Sequence, residues 1–341
     1  MIRPIRFVLG EYGRRQLRSH RYAVRRVISC MSASTRHVWA ALVIVYFVWG
    51  STYLGIKVVV DTLPPLFSAG SRFLAAGAIL ALVLAARGHG LRITRRELAS
   101  TALLGALLLT LGVGVVHVAE TRIDSSVAAM IAGTVPLQVV LLRSALGERV
   151  SRGMRLATLV GLVGLTLVVA PGFEAGSTAV GLLVMVGAAI SWSVGSFLSS
   201  RLTVPQDPFV ASVYEMAAGG VLLALSSLAF GEWSDLDSAA FAADSVAAWI
   251  YLVLAGSLVG FTAYGWLLRS APISLVVTHQ YVNPLVAIGL GMLVLAERPS
   301  PLTFAGAALV VGAVYVTVRA ESPALARPAT AVGGAQADQH A

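Results

Sequence analysis

Two ionisable residues lie inside long apolar stretches of this 341-residue chain. Arg72 and Glu215 each come seven residues after a proline, Pro65 in one case and Pro208 in the other. A charge within a bilayer is costly, so a base and an acid at such positions are candidates for function. Arg72 could bind a carboxylate through paired hydrogen bonds, and Glu215 could take up and release a proton. The alternatives are structural: a tie to a helix end or loop for Arg72, and a solvated or hydrogen-bonded carboxylate for Glu215.

A dense polar run, from Thr278 to Pro284, interrupts another apolar stretch. Polar side chains are unfavourable against lipid, so we expect these to line a cavity and to exchange hydrogen bonds with a polar substrate. Asn283 could instead cap the backbone beside Pro284, and His279 could make an interhelical hydrogen bond. Aromatic residues could form one wall, although aromatic side chains in membranes more often pack or anchor at the interface. The candidate cavity residues are Trp49, Tyr53, Gln138, Trp192, Tyr264, His279, Gln280, Tyr281 and Asn283.

Polar residues at the ends of apolar stretches have simpler explanations. His117 and Glu120 end one stretch near its predicted outer side, where a solvated rim is the simpler expectation. Glu148 and Glu297 are each followed directly by an arginine. We expect them to tie loops through neighbouring arginines, with a gating role as the alternative.

The composition places these residues in a membrane protein. Apolar residues make up 57% of the chain and charged residues 12%, whereas soluble domains carry about 25% charged residues. The mean hydropathy is +0.83. These values predict an all-α polytopic membrane protein and exclude a soluble enzyme, a secreted disulfide scaffold, a fibrous protein and a disordered chain.

The basic charge of the chain belongs to one tail. Residues 1–30 contain eight Arg and one Glu, which is +7 of the formal net charge of +9. The net positive charge of the chain is therefore no argument for nucleic-acid binding. The tail could be a membrane-surface helix, or translation could begin at Met31. Cys30 is the single cysteine, which excludes an intramolecular disulfide and a cysteine metal cluster; no metal or cofactor is expected.

A membrane helix needs about 20 mostly apolar residues, and ten stretches qualify. Arginines fall in alternate loops, which places both termini in the cytoplasm by the positive-inside rule. An acidic loop around Glu232 and Asp244 then lies outside, and a bacterial inner membrane is the expected location. The predicted spans are 38–60, 66–86, 98–119, 125–146, 156–171, 179–200, 209–230, 246–268, 273–295 and 301–319.

The two halves of the chain resemble each other. Residues 65–77 (PLFSAGSRFLAAG) align with residues 208–220 (PFVASVYEMAAGG), and two predicted spans carry matching prolines, Pro136 and Pro284. Each half has an odd number of spans, so the repeats must be inverted. Inverted repeats with interrupted helices at matching positions are typical of secondary transporters. Pro136 and Pro284 thus indicate the substrate path, a simple packing kink being the alternative.

The repeat divides the chain into five parts. These are a basic cytoplasmic tail (1–37), a first repeat of five spans (38–171), an external linker (172–178), a second repeat of five spans (179–319) and a flexible cytoplasmic tail (320–341). No room remains for a soluble domain between the first span and the last.

The chain resembles the bacterial ten-helix EamA branch of the drug/metabolite transporter superfamily. The resemblance is carried by residues 47–57 (FVWGSTYLGIK), 71–77 (SRFLAAG), 146–151 (LGERVS) and 281–287 (YVNPLVA). Residues 295–298 (LAER) depart from the pattern, because the family more often has Gly before the Glu. The resemblance implies a ten-helix inverted-repeat carrier, whose relatives mostly export amino acids and other small metabolites.

The favoured function is a proton-linked exporter of a small metabolite that works by alternating access. An importer or a drug exporter of the same fold is the alternative. A membrane-embedded enzyme or a channel is less favoured, because no clustered catalytic residues and no filter-like segment are visible. The absence of a P-loop sequence excludes an ATP-driven pump. A homodimer is a further expectation on the weak ground of GxxxG-like spacings, and the substrate, the coupling ion and the direction of transport stay open.

Overall fold

The computed structural model describes residues 35–123, 125–148, 150–169, 178–236, 241–294 and 300–325. Within these residues the regular structure is helical throughout, with no strand. Seven helices there are long and apolar enough to cross a membrane. They are α1 (Thr35–Val60), α2 (Pro65–Ala86), α3 (Arg95–Glu120), α7 (Ala179–Ser199), α8 (Pro208–Ala229), α9 (Ala243–Ser270) and the first part of α12, Pro301–Ala320.

The remaining helices complete two sets of six in chain order. They are α4 (Ser125–Ala132), α5 (Val135–Ala145), α6 (Arg152–Val169), α10 (Ile273–Val276) and α11 (His279–Val294), and α12 extends over Pro301–Leu325. The elements of the second half follow the order of the first, so α1 corresponds to α7 and α6 corresponds to α12. The fold is thus an all-α polytopic membrane protein, as predicted.

Two predicted spans are interrupted, one in each half. A turn at Gly133 and Thr134 separates α4 from α5, and a turn at Val277 and Thr278 separates α10 from α11. Pro136 lies in the first turn of α5, where its missing N–H is tolerated. Pro284 lies inside α11 instead. The two interruptions fall in the spans that carry the prolines, two to three residues before Pro136 and six to seven residues before Pro284.

The third helix of each half also widens in its middle. Gly105–Gly114 of α3 and Leu252–Phe261 of α9 are π-helical, and each segment is ten residues long. A π turn holds more residues than an α turn and often occurs at functional sites. Nothing in the sequence patterns predicted these two segments.

Small residues allow the central helices to approach closely. A Cβ atom on Gly105 of α3 would lie 2.4 Å from the carbonyl oxygen of Glu215 in α8, and one on Gly70 of α2 would lie 3.0 Å from the backbone N of Ala224. On α8, a Cβ on Gly220 would lie 2.8 Å from the Leu74 side chain. Such contacts between backbones replace the hydrophobic effect as the source of helix association in lipid.

The outer face of these helices is apolar. Large side chains there remain well exposed, among them Leu82 of α2 at 70% and Leu183 of α7 at 72%. A soluble protein does not expose so much apolar surface, so this face contacts the lipid bilayer. Most of each predicted tail, most of the external linker and the predicted Glu297–Arg298 pair lie outside the described residues, while residues 35–37 and 320–325 are helical.

Candidate functional site

A cavity of about 650 Å³, its opening included, lies between the helices. Three helices contribute most of its wall, and each does so with residues spaced i, i+3, i+4 and i+7, which form one helical face. These residues are Trp49, Thr52, Tyr53 and Ile56 of α1, Leu109, Gly112, Val113 and Val116 of α3, and Met185, Ala188, Ala189 and Trp192 of α7. Residues of both halves therefore enclose one space.

Shorter pieces of other helices close the cavity. They are Arg72 and Phe73 of α2, Ala132 and Val135 at the interruption between α4 and α5, Gly256 and Phe261 of the π segment in α9, and Gln280 and Asn283 of α11. Both π segments and both interrupted spans thus reach the same space. Apolar groups dominate the wall, with a few polar groups at defined places, which is the usual character of a small-molecule site.

Arg72 is the charged residue among the described residues of the wall. It is buried at 3% exposure; its Nε donates to Ser257 Oγ at 2.6 Å and its Nη1 lies 3.4 Å from His117 Nε2. Since arginine can only donate, His117 Nε2 accepts and Nδ1 carries the hydrogen, 3.2 Å from Ser68 Oγ. Nη2 makes no hydrogen bond to the described residues, and a Cβ added to Gly256 would lie 2.8 Å from it. The guanidinium is thus held through Nε and Nη1, while Nη2 is unpaired within the described part of the chain.

Four aromatic rings form a cluster at another part of the wall. Trp49 contacts Trp192, Tyr264 and His279 with ring centroids 5.3, 4.9 and 5.0 Å away. Tyr264 also contacts Trp192 at 5.1 Å and His279 at 5.3 Å. Trp49 and Trp192 face the cavity, whereas Tyr264 and His279 lie behind them at 0% exposure. The cluster joins α1, α7, α9 and α11 and therefore both halves.

Several polar atoms at the cavity lack partners among the described residues. They are Trp192 Nε1, Gln280 Oε1 and Asn283 Oδ1, and His279 Nε2 lies just behind. A buried polar atom without a partner costs free energy, so such atoms indicate where a ligand or water would donate or accept a hydrogen bond. The Trp49 indole is already engaged, since its Nε1 donates to the Gly256 carbonyl at 3.0 Å.

Pro284 acts on the backbone of this wall. Proline has no N–H to donate to the carbonyl four residues earlier, which for Pro284 inside α11 is that of Gln280, a residue that lines the cavity. Pro136 lies in the first turn of α5, where no helical acceptor awaits its N–H, and its neighbour Val135 lines the cavity. That the two prolines mark the substrate path stays a prediction.

The predicted cavity residues divide into two groups. Trp49, Tyr53, Trp192, Gln280 and Asn283 line the cavity together with Arg72, and Tyr264, His279, Gln138 and Tyr281 do not. Gln138 donates to Thr134 Oγ1 and accepts from Ser193 Oγ, both at 2.8 Å. Tyr281 donates to the Thr158 carbonyl at 2.9 Å and packs with Leu165 and Val310. Their roles in this conformation are interhelical contacts.

Glu215 is buried but lies away from the cavity. Its side chain is 3% exposed, and its carboxylate makes no hydrogen bond to the described residues. Arg269 of α9 lies within electrostatic range, donates from Nη1 to the Pro205 carbonyl at 2.8 Å and has an unpartnered Nε. Glu215 is therefore not fixed by a hydrogen bond within the described residues, and Arg269 is the charged group within its electrostatic range.

The expected solvated rim at the end of α3 is wrong. His117 and Glu120 are both 0% exposed, because α2 and α7 pack against this end of the helix. Sequence analysis also missed Thr52 and Gly256, which line the cavity. The i, i+3, i+4 and i+7 spacing from Trp49 could have indicated Thr52; Gly256 carried no comparable feature.

Glu148 joins helices of both halves. Its carboxylate accepts from Arg143 Nε of α5 at 2.9 Å and also contacts Arg201, which follows α7. Arg143 in turn bonds to Ser274 of α10. The expected tie through neighbouring arginines thus exists, and it spans the two halves. In the described part of the chain, no three His, Cys, Asp or Glu side chains come together to hold a metal ion.

Comparison with known proteins agrees with this architecture. The model of the EamA-like transporter family matches residues 37–170 and again residues 179–319. An uncharacterized inner membrane transporter of Escherichia coli strain K12, YedA, is 35% identical over 298 residues, which cover 86% of this chain and 94% of that protein. A protein of Streptantibioticus cattleyicolor named as a probable terminal-alkyne amino-acid exporter is 28% identical over 292 residues, 84% of this chain and 94% of its own.

A solved crystal structure has a related fold. It superposes with a TM-score of 0.67 at 22% identity and covers 85% of this chain and 98% of that one. A multi-pass helical fold that encloses a cavity between two repeats defines a membrane transporter of small molecules. The chain belongs to the EamA-like transporter family, and relatives named as transporters argue against an enzyme.

Proposed function

We propose that this protein is a secondary transporter that exports a small metabolite such as an amino acid or a related compound, by alternating access and linked to protons. The observation that carries the proposal is Arg72, a buried residue of a mostly apolar cavity wall whose Nη2 makes no hydrogen bond to the described residues. A substrate carboxylate would complete the hydrogen bonding of that group. An apolar or aromatic side chain of the substrate would contact Trp49, Trp192 and Phe73.

Polar atoms elsewhere in the wall would serve the rest of the substrate. The side-chain oxygens of Gln280 and Asn283 are acceptors without partners among the described residues, and they suit an ammonium or amide group. The S. cattleyicolor relative is named for an amino acid, which supports the same substrate class. A mostly apolar wall also suits a drug exporter, and an importer would use the same contacts in reverse.

Alternating access is supported by helices that can change shape. Interrupted spans and π segments from both halves meet at the cavity, and transporters bind substrates at such interruptions. Glu215 is our candidate for proton coupling, since it is buried, has no hydrogen bond among the described residues and corresponds to Arg72 in the other repeat.

The membrane arrangement is part of the proposal. Both termini would lie in the cytoplasm of a bacterial inner membrane, the repeats would comprise residues 38–171 and 179–319, and a homodimer would be possible. A cysteine placed at Ser234 in a Cys30→Ser background tests the orientation. Labelling by an impermeant thiol reagent in intact cells is expected, and labelling only after lysis would reverse the topology.

The function itself is tested by unbiased metabolite profiling of cells and medium. Overexpression of the wild-type protein should raise one or more carboxylate-bearing metabolites in the medium, whereas Arg72→Gln should lower that efflux by about tenfold or more, as expected for loss of a charged hydrogen bond. Arg96→Gln, at an exposed position, is the matched control and should transport normally. Glu215→Gln should remove the pH dependence of efflux.

Three outcomes would contradict parts of this proposal. Accumulation inside the cells would mean import. An exported compound without an anionic group, unaffected by Arg72→Gln, would favour the drug-exporter alternative. Unchanged pH dependence in Glu215→Gln would remove Glu215 from coupling.

A further inference from the structure

Glu120, the last residue of α3, carries a carboxyl group that the proposed function leaves unused. Its side chain is 0% exposed, and neither Oε1 nor Oε2 has a hydrogen-bond partner among the described residues. Burial of a bare carboxylate costs far more than burial of a neutral acid, so buried carboxylates are normally paired or receive hydrogen bonds. The surroundings of Glu120 therefore fit a protonated carboxyl group in this conformation.

Two ionisable side chains of α1 lie beside this group. Lys57 Nζ donates to the backbone carbonyl of Glu120 at 2.9 Å rather than to its carboxyl group, although it lies within electrostatic range of the latter. Tyr53 is also within electrostatic range. Tyr53 lines the cavity, as does Val116 one turn before Glu120. The carboxyl group thus lies directly behind the cavity wall, with a cation close by.

The other helices around the end of α3 bring little charge. This end packs against α2, α4 and α7. The sequences of α4 and α7 contain no ionisable side chain, and α2 contains Arg72, which is engaged with His117. Arg122 follows Glu120 in the chain and is exposed, and Asp124 lies outside the described residues. Lys57 is therefore the cation that acts directly on the Glu120 carboxyl group.

A proton suits this site better than another cation. Both carboxyl oxygens are buried, and Glu120 does not line the cavity, so a substrate ammonium or a hydrated metal ion in the cavity would not contact them. Lys57 would also repel a second positive charge at this distance. A proton removes the negative charge and needs no further ligands, which matches a carboxyl group without donors.

We propose that Glu120 is a proton-binding site that controls opening of the cavity between α1 and α3. When the proton leaves, the carboxyl O–H bond breaks, and the proton passes to water. Lys57 Nζ then leaves the last carbonyl of α3 and pairs with the carboxylate, which shifts α1 relative to α3. Proton uptake forms the O–H bond again and returns Lys57 to the carbonyl. The role of Glu120 in transport rests on the proposed function. The binding of a proton to Glu120 does not, because it needs no substrate.

The test uses cysteine accessibility in purified full-length protein with Cys30→Ser. Val113→Cys reports on the cavity, which Val113 lines, and Ser234→Cys at an exposed position corrects for the effect of pH on thiol reactivity. The ratio of the two labelling rates with a water-soluble thiol reagent is measured between about pH 5 and pH 9, a range in which histidines and buried carboxyl groups titrate. We expect the ratio to change by about fivefold or more, the size of an ordinary coupling between two sites.

Variants identify the group responsible. Glu120→Gln should hold the ratio near its acid value at every pH, and Glu120→Asp should retain a pH-dependent change with a displaced midpoint. Glu97→Gln removes a carboxyl group that caps the start of the same helix at Thr94; it is the matched control and should respond as the wild-type protein does. A wild-type ratio that is independent of pH, or a pH response that survives Glu120→Gln, would overturn the proposal.

Failure of the proposed function and failure of the proton site give different combinations of labelling and profiling results. If labelling depends on Glu120 but profiling finds no transported compound, the proton site stands and the proposed function fails. If a compound is exported while labelling does not depend on pH, the proposed function stands and the role of Glu120 is wrong.

Discussion

The side chains around the cavity are held in place by groups that do not themselves reach it. Ser257 and His117 fix the guanidinium of Arg72 from behind, and Tyr264 and His279 support the tryptophan pair. Only one part of each supported group is left free for a ligand. Because these supporting contacts fix the positions of the wall side chains, a bound molecule can contact the wall in only a few orientations.

Gly256 is a position where the addition of one methyl group would disturb the placement of the Arg72 guanidinium. A Cβ atom there would lie 2.8 Å from Arg72 Nη2 and 3.1 Å from Thr52 Cγ2. We expect Gly256→Ala to displace the guanidinium and to lower the efflux rate by about tenfold or more, since small misplacements of binding groups have large effects. Gly312→Ala, whose Cβ would meet nothing within 4 Å, is the control. Equal efflux by both variants would show that Arg72 does not need its present position.

Single positions were predicted from the sequence with mixed success for a physical reason. Gln280 and Asn283 are three residues apart and share a face of α11, whereas Tyr281 is displaced by about 100° around the helix axis. Polarity marked the whole run from Thr278 to Pro284 as unsuited to lipid, but it did not distinguish a face toward the cavity from a face toward α6. Burial of Glu120 was missed because its neighbours come from α2 and α7, far away in sequence.

Helices of this protein combine regular faces with local departures from α geometry. The regular faces of α1 and α7 and the π segment of α3 supply most of the cavity wall, and the spans themselves were predictable from hydropathy. The π segments were not predictable, because the apolar composition of Gly105–Gly114 and Leu252–Phe261 is the same as that of an ordinary membrane helix.

Close packing of α3 on α8 depends on Gly105. Its Cβ would lie 2.4 Å from the Glu215 carbonyl and 3.1 Å from the Gly219 N, so both contacts are with backbone that cannot rotate away. We expect Gly105→Ala to lower the free energy of unfolding by about 1–3 kcal/mol, the usual effect of overpacking, measured as a lower thermal midpoint in detergent. Gly187→Ala on α7, with nothing within 4 Å, should leave the midpoint unchanged or slightly higher. A Gly105→Ala midpoint equal to that of Gly187→Ala would contradict the close approach.

The two halves of the molecule are joined at the cavity and again at the ends of the helices around Glu148. Arg143 belongs to the first half, whereas Arg201 and Ser274 belong to the second. The inverted repeat was visible in the sequence through residues 65–77 and 208–220 and through the paired prolines. How the halves contact each other was not visible, because it depends on loops and helix ends without a recurring pattern.

Release of this tie should alter conformation more than stability. Glu148 and Arg201 are partly exposed, at 33% and 37% for their side chains, and such ion pairs contribute about 1 kcal/mol or less. We therefore expect Glu148→Gln to leave the thermal midpoint nearly unchanged and to change the labelling rate of Val113→Cys by about fivefold or more, a typical coupling between distant sites. Glu97→Gln, whose carboxylate serves only its own helix start at Thr94, is the control. A lower midpoint with unchanged labelling would assign Glu148 to stability alone.

The paired π segments also have a consequence for the two repeats. A π turn holds more residues than an α turn and often occurs at functional sites. Segments of ten residues occur in the third helix of each half, and both border the cavity. The same local departure from α geometry therefore recurs in the corresponding helix of both repeats, and it belongs to the wall that the two repeats build together.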